Sequence, residues 1–90
     1  MDINLKNVSE LLRAEKAADA RKLFDEIPFG NNIEYLLVKG ELEQKFQEWG
    51  KAYNSFGKVL EIDPLNTEAK TRLEMINGIL NYFSPDQFNP

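Results

Sequence analysis

Carboxylates are the chemistry-bearing groups this 90-residue sequence has in quantity: 15 Asp and Glu, against no histidine and no cysteine. Paired carboxyls can cleave a glycosidic bond, one as acid and one as base or nucleophile, if a pocket raises the pKa of the acid. Glu41, Glu43 and Glu48 are candidates by type. They lie on a helical stretch and its turn beside lysines, the pattern of a solvated face, so no catalytic pair is expected. Asp25-Glu26 and Glu61…Asp63 lack the alternating oxygen ligands and the glycine of a calcium loop. No phosphate-cradling glycine loop occurs. Without cysteine or histidine there is no thiol nucleophile, disulfide framework, zinc-finger ligand set or imidazole acid/base. The expectation is a protein that is not an enzyme, with no catalytic residue, cofactor or metal.

Two further clusters have structural explanations. Trp49 and Tyr53 could form an aromatic platform, but at helical spacing beside Ala52 they read as core. Arg13, Lys16, Arg21 and Lys22 are interleaved with Asp19 and Asp25, as on a solvated face. The net charge of −4 and pI near 4.8 argue against nucleic acid as a partner, because phosphates call for a basic face. No apolar run approaches the ~20 residues of a membrane span. Met1 to Lys6 shows neither the basic nor the apolar region of a secretory leader. A cytoplasmic location is expected, in keeping with the lack of cysteine. A composition of 42% hydrophobic and 29% charged residues is that of a globular chain, here one small domain.

Turn signals divide the chain into five helical blocks. The first runs over Asn4 to Arg13, with Leu5, Val8, Leu11 and Leu12 at three- and four-residue spacing. The second runs over Glu15 to Ile27 and is stopped by Pro28-Phe29-Gly30. Asn31-Asn32 offers an N-cap, with Glu34 three residues past Asn31 in a capping-box position. The third helix covers about Ile33 to Phe46 and the fourth about Glu48 to Ile62. The fourth carries the stripe Trp49, Ala52, Tyr53, Phe56, Val59 and Leu60. Asp63-Pro64 ends it, Asn66 or Thr67 caps a fifth helix to about Phe83, and Ser84-Pro85 stops that one. No segment alternates like a strand.

Ala20, Phe24 and Ile27 recur 32 positions later as Ala52, Phe56 and Val59. The segment Glu48 to Ala69, with Ala52, Phe56, Val59 and Pro64, resembles the second helix and linker of a tetratricopeptide repeat. Gly40 matches the glycine of that family's first helix. Leu36 stands where the family often has tryptophan, Lys39 where it has leucine, and Glu43 where it has tyrosine. Gln47 replaces the glycine usual in the turn. The whole chain is similar to small stand-alone bacterial proteins of two such repeats and a capping helix. The resemblance implies an all-α superhelix of two antiparallel helix hairpins plus a capping helix. A degenerate repeat covers about 3–32, a clearer one about 33–66, and the cap about 67–83, in a single domain 1–83 followed by an aromatic tail at 84–90.

The resemblance also implies a non-enzymatic protein–protein interaction module, an adaptor that takes a partner peptide or helix in its concave groove. Carried onto this chain, the groove positions are Glu34, Leu37, Glu41, Gln44 and Lys45 in the clearer repeat. In the cap they are Glu68, Thr71, Met75, Gly78 and Ile79. In the first helix they are roughly Leu5, Ser9, Leu12 and Arg13. Chaperone-binding members of the family hold a peptide's C-terminal carboxylate with a clamp. Arg72 matches the clamp arginine, but Glu68 replaces its lysine and Val38 its asparagine, so that activity is rejected. Arg72 then reads as solvated or as an i,i+4 partner of Glu68. Tyr82, Phe83 and Phe88 either cap the last helix or dock into the groove of a second copy, giving a homodimer as the alternative function.

Overall fold

The structure, a computed structural model, describes residues 3–83. The described residues form five α-helices and no strand: α1 (Ile3–Arg13), α2 (Ala17–Asp25), α3 (Ile33–Lys45), α4 (Trp49–Ile62) and α5 (Thr67–Phe83). The aromatic tail at 84–90, and the capping and dimerisation expected of it, lie outside the described residues. The stripe residues go where the helical spacing puts them. Val8, Ala20, Leu36, Ala52, Phe56 and Val59 are essentially solvent-free, joined by Ala69 and Ile76 of α5.

α2 starts at Ala17, two residues later than expected, and α3 ends at Lys45 rather than Phe46. Both differences have one cause. Glu15 (φ 60°) and Gln47 (φ 59°) adopt the left-handed conformation, which a right-handed helix does not admit. Around each, the backbone closes the same way. Glu15 N–H donates to Leu12 C=O at 3.2 Å and Lys16 N–H to Leu11 C=O at 2.9 Å. Gln47 N–H donates to Gln44 C=O at 3.0 Å and Glu48 N–H to Glu43 C=O at 2.8 Å. These paired bonds are Schellman motifs, which satisfy the free carbonyls at a helix end and normally place glycine at the left-handed position. Here the same turn occurs twice, 32 residues apart, without glycine either time.

Helix starts repeat as well. The Asn32 side-chain oxygen accepts the Tyr35 N–H at 2.9 Å, and 34 positions on, Asn66 accepts the Ala69 N–H at 2.9 Å. The cap of α3 is thus Asn32 and not Asn31, so the third helical residue is Tyr35 and Glu34 forms no capping box. Before α5, Asp63 accepts the Leu65 N–H at 3.1 Å and so shapes the turn that ends α4.

α1 pairs with α2 and α3 with α4, while α3 also packs on α1 and α2, and α5 packs on α4. α3 and α4 pack against each other most extensively. A Cβ placed on Gly40 would lie 2.6–2.8 Å from three ring atoms of Phe56, so the ring lies directly on the α3 backbone. The corresponding pair in the first hairpin is Val8 and Phe24. There the Phe24 ring meets Tyr35 at 4.9 Å between centroids, and Phe29 meets the same tyrosine edge-on at 5.5 Å. Gly57 has nothing within 4 Å of a Cβ position, so it weakens α4 without admitting a neighbour.

Two outcomes follow for thermal denaturation followed by circular dichroism. Gln47→Gly removes a left-handed penalty of about 1–2 kcal/mol and introduces glycine's entropic cost of about 0.5–1 kcal/mol. The net gain of up to about 1.5 kcal/mol should raise Tm by up to about 10 °C, and a lower Tm would refute the strain argument. Gly40→Ala should destabilise by about 1–3 kcal/mol through overpacking on Phe56, whereas Gly57→Ala should stabilise by up to about 1 kcal/mol. Equal effects of the two alanines would contradict the packing described.

Candidate functional site

Because α1 and α3 pack together, their final turns share one rim. Leu12 and Arg13 reach it from α1, Glu15 and Gln47 from the two left-handed turns, and Glu41, Gln44 and Lys45 from α3. Trp49 at the start of α4 and Arg72 on α5 complete an open groove of about 520 Å³. Arg72 ties α5 to α3. Its Nη2 donates to Glu41 Oε1 at 3.0 Å and its Nη1 to Gln44 Oε1 at 3.0 Å. Its guanidinium carbon lies 6.0 Å from the centroid of the Phe56 ring. The expected Arg72–Glu68 pairing is therefore replaced by one with α3. Residues 41 and 44 share a face of α3 at i,i+3, so both nitrogens of the guanidinium fork can be used. Lys45 reaches Glu15 only loosely, at 3.5 Å.

Glu41 is the electrostatic centre of the groove. Burial raises its pKa above the ordinary glutamate value and outweighs Arg72, which lowers it. Glu68 raises it further, while Arg13 and Lys45 lower it.

Of the expected groove residues, Glu41, Gln44 and Lys45 come together here with Leu12 and Arg13. Leu5 and Leu12 are each only 4% exposed and belong to the core, so they offer a partner little surface. Leu37 is half-buried against that core. Glu34 is exposed and borders a different depression, with Leu5, Asn32, Ile33 and Ile62. Glu68, Thr71 and Met75 are exposed on α5 and do not line the groove around Arg72. Glu15, Gln47, Trp49 and Arg72 were not expected there. The signal for the first two was the turn position itself, which brings its side chain to the rim whenever it is not glycine. Trp49 is half-buried, and Tyr53 is 42% exposed instead of core.

The expectation that Glu43 is solvated is also corrected. It is 7% exposed, with one oxygen accepting from Ser55 Oγ at 2.6 Å and the other from Lys39 Nζ at 2.6 Å. Lys39 also donates to Ser55 Oγ at 3.3 Å. Serine, lysine and glutamate in contact invite a nucleophile reading. Here Ser55 is 2% exposed and its proton points to the carboxylate, so a substrate does not reach it. The cluster holds α3 to α4. On the other hairpin, Arg21 donates to both carboxylate oxygens of Glu48 at 3.1 and 3.2 Å and lies 4.5 Å over the Phe46 ring, so this basic residue clamps α2 to the α3–α4 turn.

Among the described residues, no group of three or more acidic side chains is placed to hold a metal ion, and no helix is long and apolar enough to cross a membrane. No family model, curated protein or solved structure matches the chain.

The raised Glu41 pKa carries a sign. The folded state takes up a proton at Glu41 before the unfolded chain does, so this contribution to stability is fully present below the ordinary glutamate value. It is lost as pH rises through the raised folded value. In urea denaturation from acidic to neutral pH, the wild type should therefore gain on Glu41→Gln as pH falls across that window. A flat difference would mean that Arg72 balances burial, and one that grows towards neutral pH that Arg72 outweighs it.

Proposed function

We propose that this chain is a non-enzymatic interaction module, built from two tetratricopeptide-like hairpins and a capping helix, that binds a peptide or helix of a partner protein. The observation that carries this reading is the groove around Arg72. Three first-type helices, α1, α3 and α5, contribute to one open face. It combines the half-buried Trp49 ring with a rim of charged and amide groups, the mix by which partner surfaces are held and oriented. The duplicated left-handed turns at 32 residues and the duplicated asparagine caps at 34 support the repeat interpretation. The Ser55–Glu43–Lys39 cluster, with Ser55 and Glu43 buried, supports a structural role for the residues that most resemble catalytic ones.

A bulky residue in the groove should block it without unfolding the protein. Gln44→Trp is expected to abolish partner capture from a lysate of the source cells, with helical circular dichroism retained. Lys58→Trp, on the exposed side of α4 beside Tyr53 and Glu61, should leave capture intact. Capture that survives Gln44→Trp, or fails equally in both variants, would overturn the groove reading.

A further inference from the structure

The chain as a whole is acidic, with a net charge of −4. The groove is not. Arg13, Lys45 and Arg72 line it, against Glu15 and Glu41. We infer that the groove takes an acidic segment of a partner protein, bound through side-chain carboxylates to Arg13, Lys45 and Arg72, with an apolar side chain set on the half-buried Trp49. This inference rests on the interaction reading above and narrows it to one class of partner.

Three observations support it. First, the positive groups are under-used. Arg13 is exposed, and its described interaction is a charge effect on Glu41 without a bond. Lys45 is 43% exposed on its side chain and 3.5 Å from a carboxylate that is itself 80% exposed. A guanidinium has five N–H donors, and Arg72 spends two contacts on Glu41 and Gln44. Second, Arg72 is held in place by those contacts, so its remaining N–H donors are pre-positioned for a carboxylate. Third, the sign contrast is local. The lining carries three cations against two carboxylates in a chain of net charge −4, a contrast that favours register as well as affinity for an acidic partner. Glu68 is a nearby negative charge that acts on Glu41, but it lies outside the groove lining. The ligand is thus an internal acidic stretch, distinct from a free chain terminus held at the clamp positions.

The test is selection from a random-peptide library displayed with blocked C-termini, using the intact wild-type protein and the double variant Arg13→Glu/Lys45→Glu. Both substituted side chains are exposed, so the fold should survive, with matching circular dichroism as the check. Enrichment of peptides rich in Asp and Glu with an apolar anchor is expected. Their affinity should fall about tenfold or more in the double variant and weaken with added salt. Enrichment of neutral or basic peptides that compete for the groove and are lost in Gln44→Trp would overturn the acidic assignment and leave the interaction reading standing. Acidic peptides that bind the double variant as well as wild type would also overturn it, since the groove charges would not be their site. No enrichment at all would overturn both readings.

Discussion

The contact on which the rest of the structure depends is the Phe56 ring against the bare backbone of Gly40. An α-helix carrying any side chain at that position would hold α4 away, because a Cβ would fall within 2.8 Å of the ring. With glycine there, α3 and α4 close on each other, and Phe56, Ala52 and Val59 lose all contact with water. Burying a phenylalanine-sized side chain contributes about 1.5–3 kcal/mol, a large share of the margin available to a chain this short. The same ring lies near the guanidinium of Arg72. The fork that α5 presents to Glu41 and Gln44 thus lies beside the core contact. α3 is the common element: its glycine receives the core, and Glu41, Gln44 and Lys45 on it form one wall of the groove.

α3 also carries the least expected feature of the fold, a buried carboxylate. Glu43 would cost several kcal/mol if it were buried without partners. It is instead met at both oxygens, by a lysine on its own helix and a serine on α4. Such a cluster adds little net stability relative to apolar residues of the same shape. Its effect is directional. Hydrophobic contacts along α3 and α4 tolerate small slides, whereas a hydroxyl 2.6 Å from a carboxylate does not. Arg21 acts similarly between α2 and the α3–α4 turn, through Glu48 and Phe46.

Helix number, most boundaries and most of the core were legible in the sequence because they depend on local spacing and on proline, glycine and asparagine. The errors arose where tertiary contacts override local preference. Glu15 looks like a helix-initiating glutamate, yet the Schellman bonds of α1 force it into the left-handed region. Glu43 sits among charged neighbours and looks solvated. Its burial depends on Ser55, twelve residues away, which no periodicity reveals. Arg72 has a suitable partner at i−4 in Glu68 and takes one on another helix, 31 residues away. Leu5 mapped to the groove and lies in the core, while Leu12 borders the groove but is almost wholly buried. Glu41, Gln44 and Lys45 of α3, and Leu12 and Arg13 of α1, were readable as groove positions. The rest comes from two turns, the start of α4 and one arginine, brought together only by the packing of α1, α3 and α5.

The two turns connect stability to the site. Glycine is the residue a left-handed Schellman position favours, and glycine there would leave the groove rim bare. This chain has glutamate at one turn and glutamine at the other, and both side chains line the groove. Strain of this kind persists when surrounding bonds over-determine the conformation, and it concentrates where side chains are used. Each turn here has the paired backbone bonds that fix it regardless of residue type. The duplication makes the argument sharper than a single outlier would. The same unfavourable choice occurs at two equivalent places that converge on one face, and Glu15 also meets Lys45, a basic side chain in the last turn of α3. Lys45 and Arg13 are favoured at those positions by the helix dipole alone, so their charge is available there at no conformational cost. The groove thus combines two cations that helix ends retain for their own reasons with two turn side chains that helix ends disfavour, and the second pair is the better guide to where this molecule meets something else.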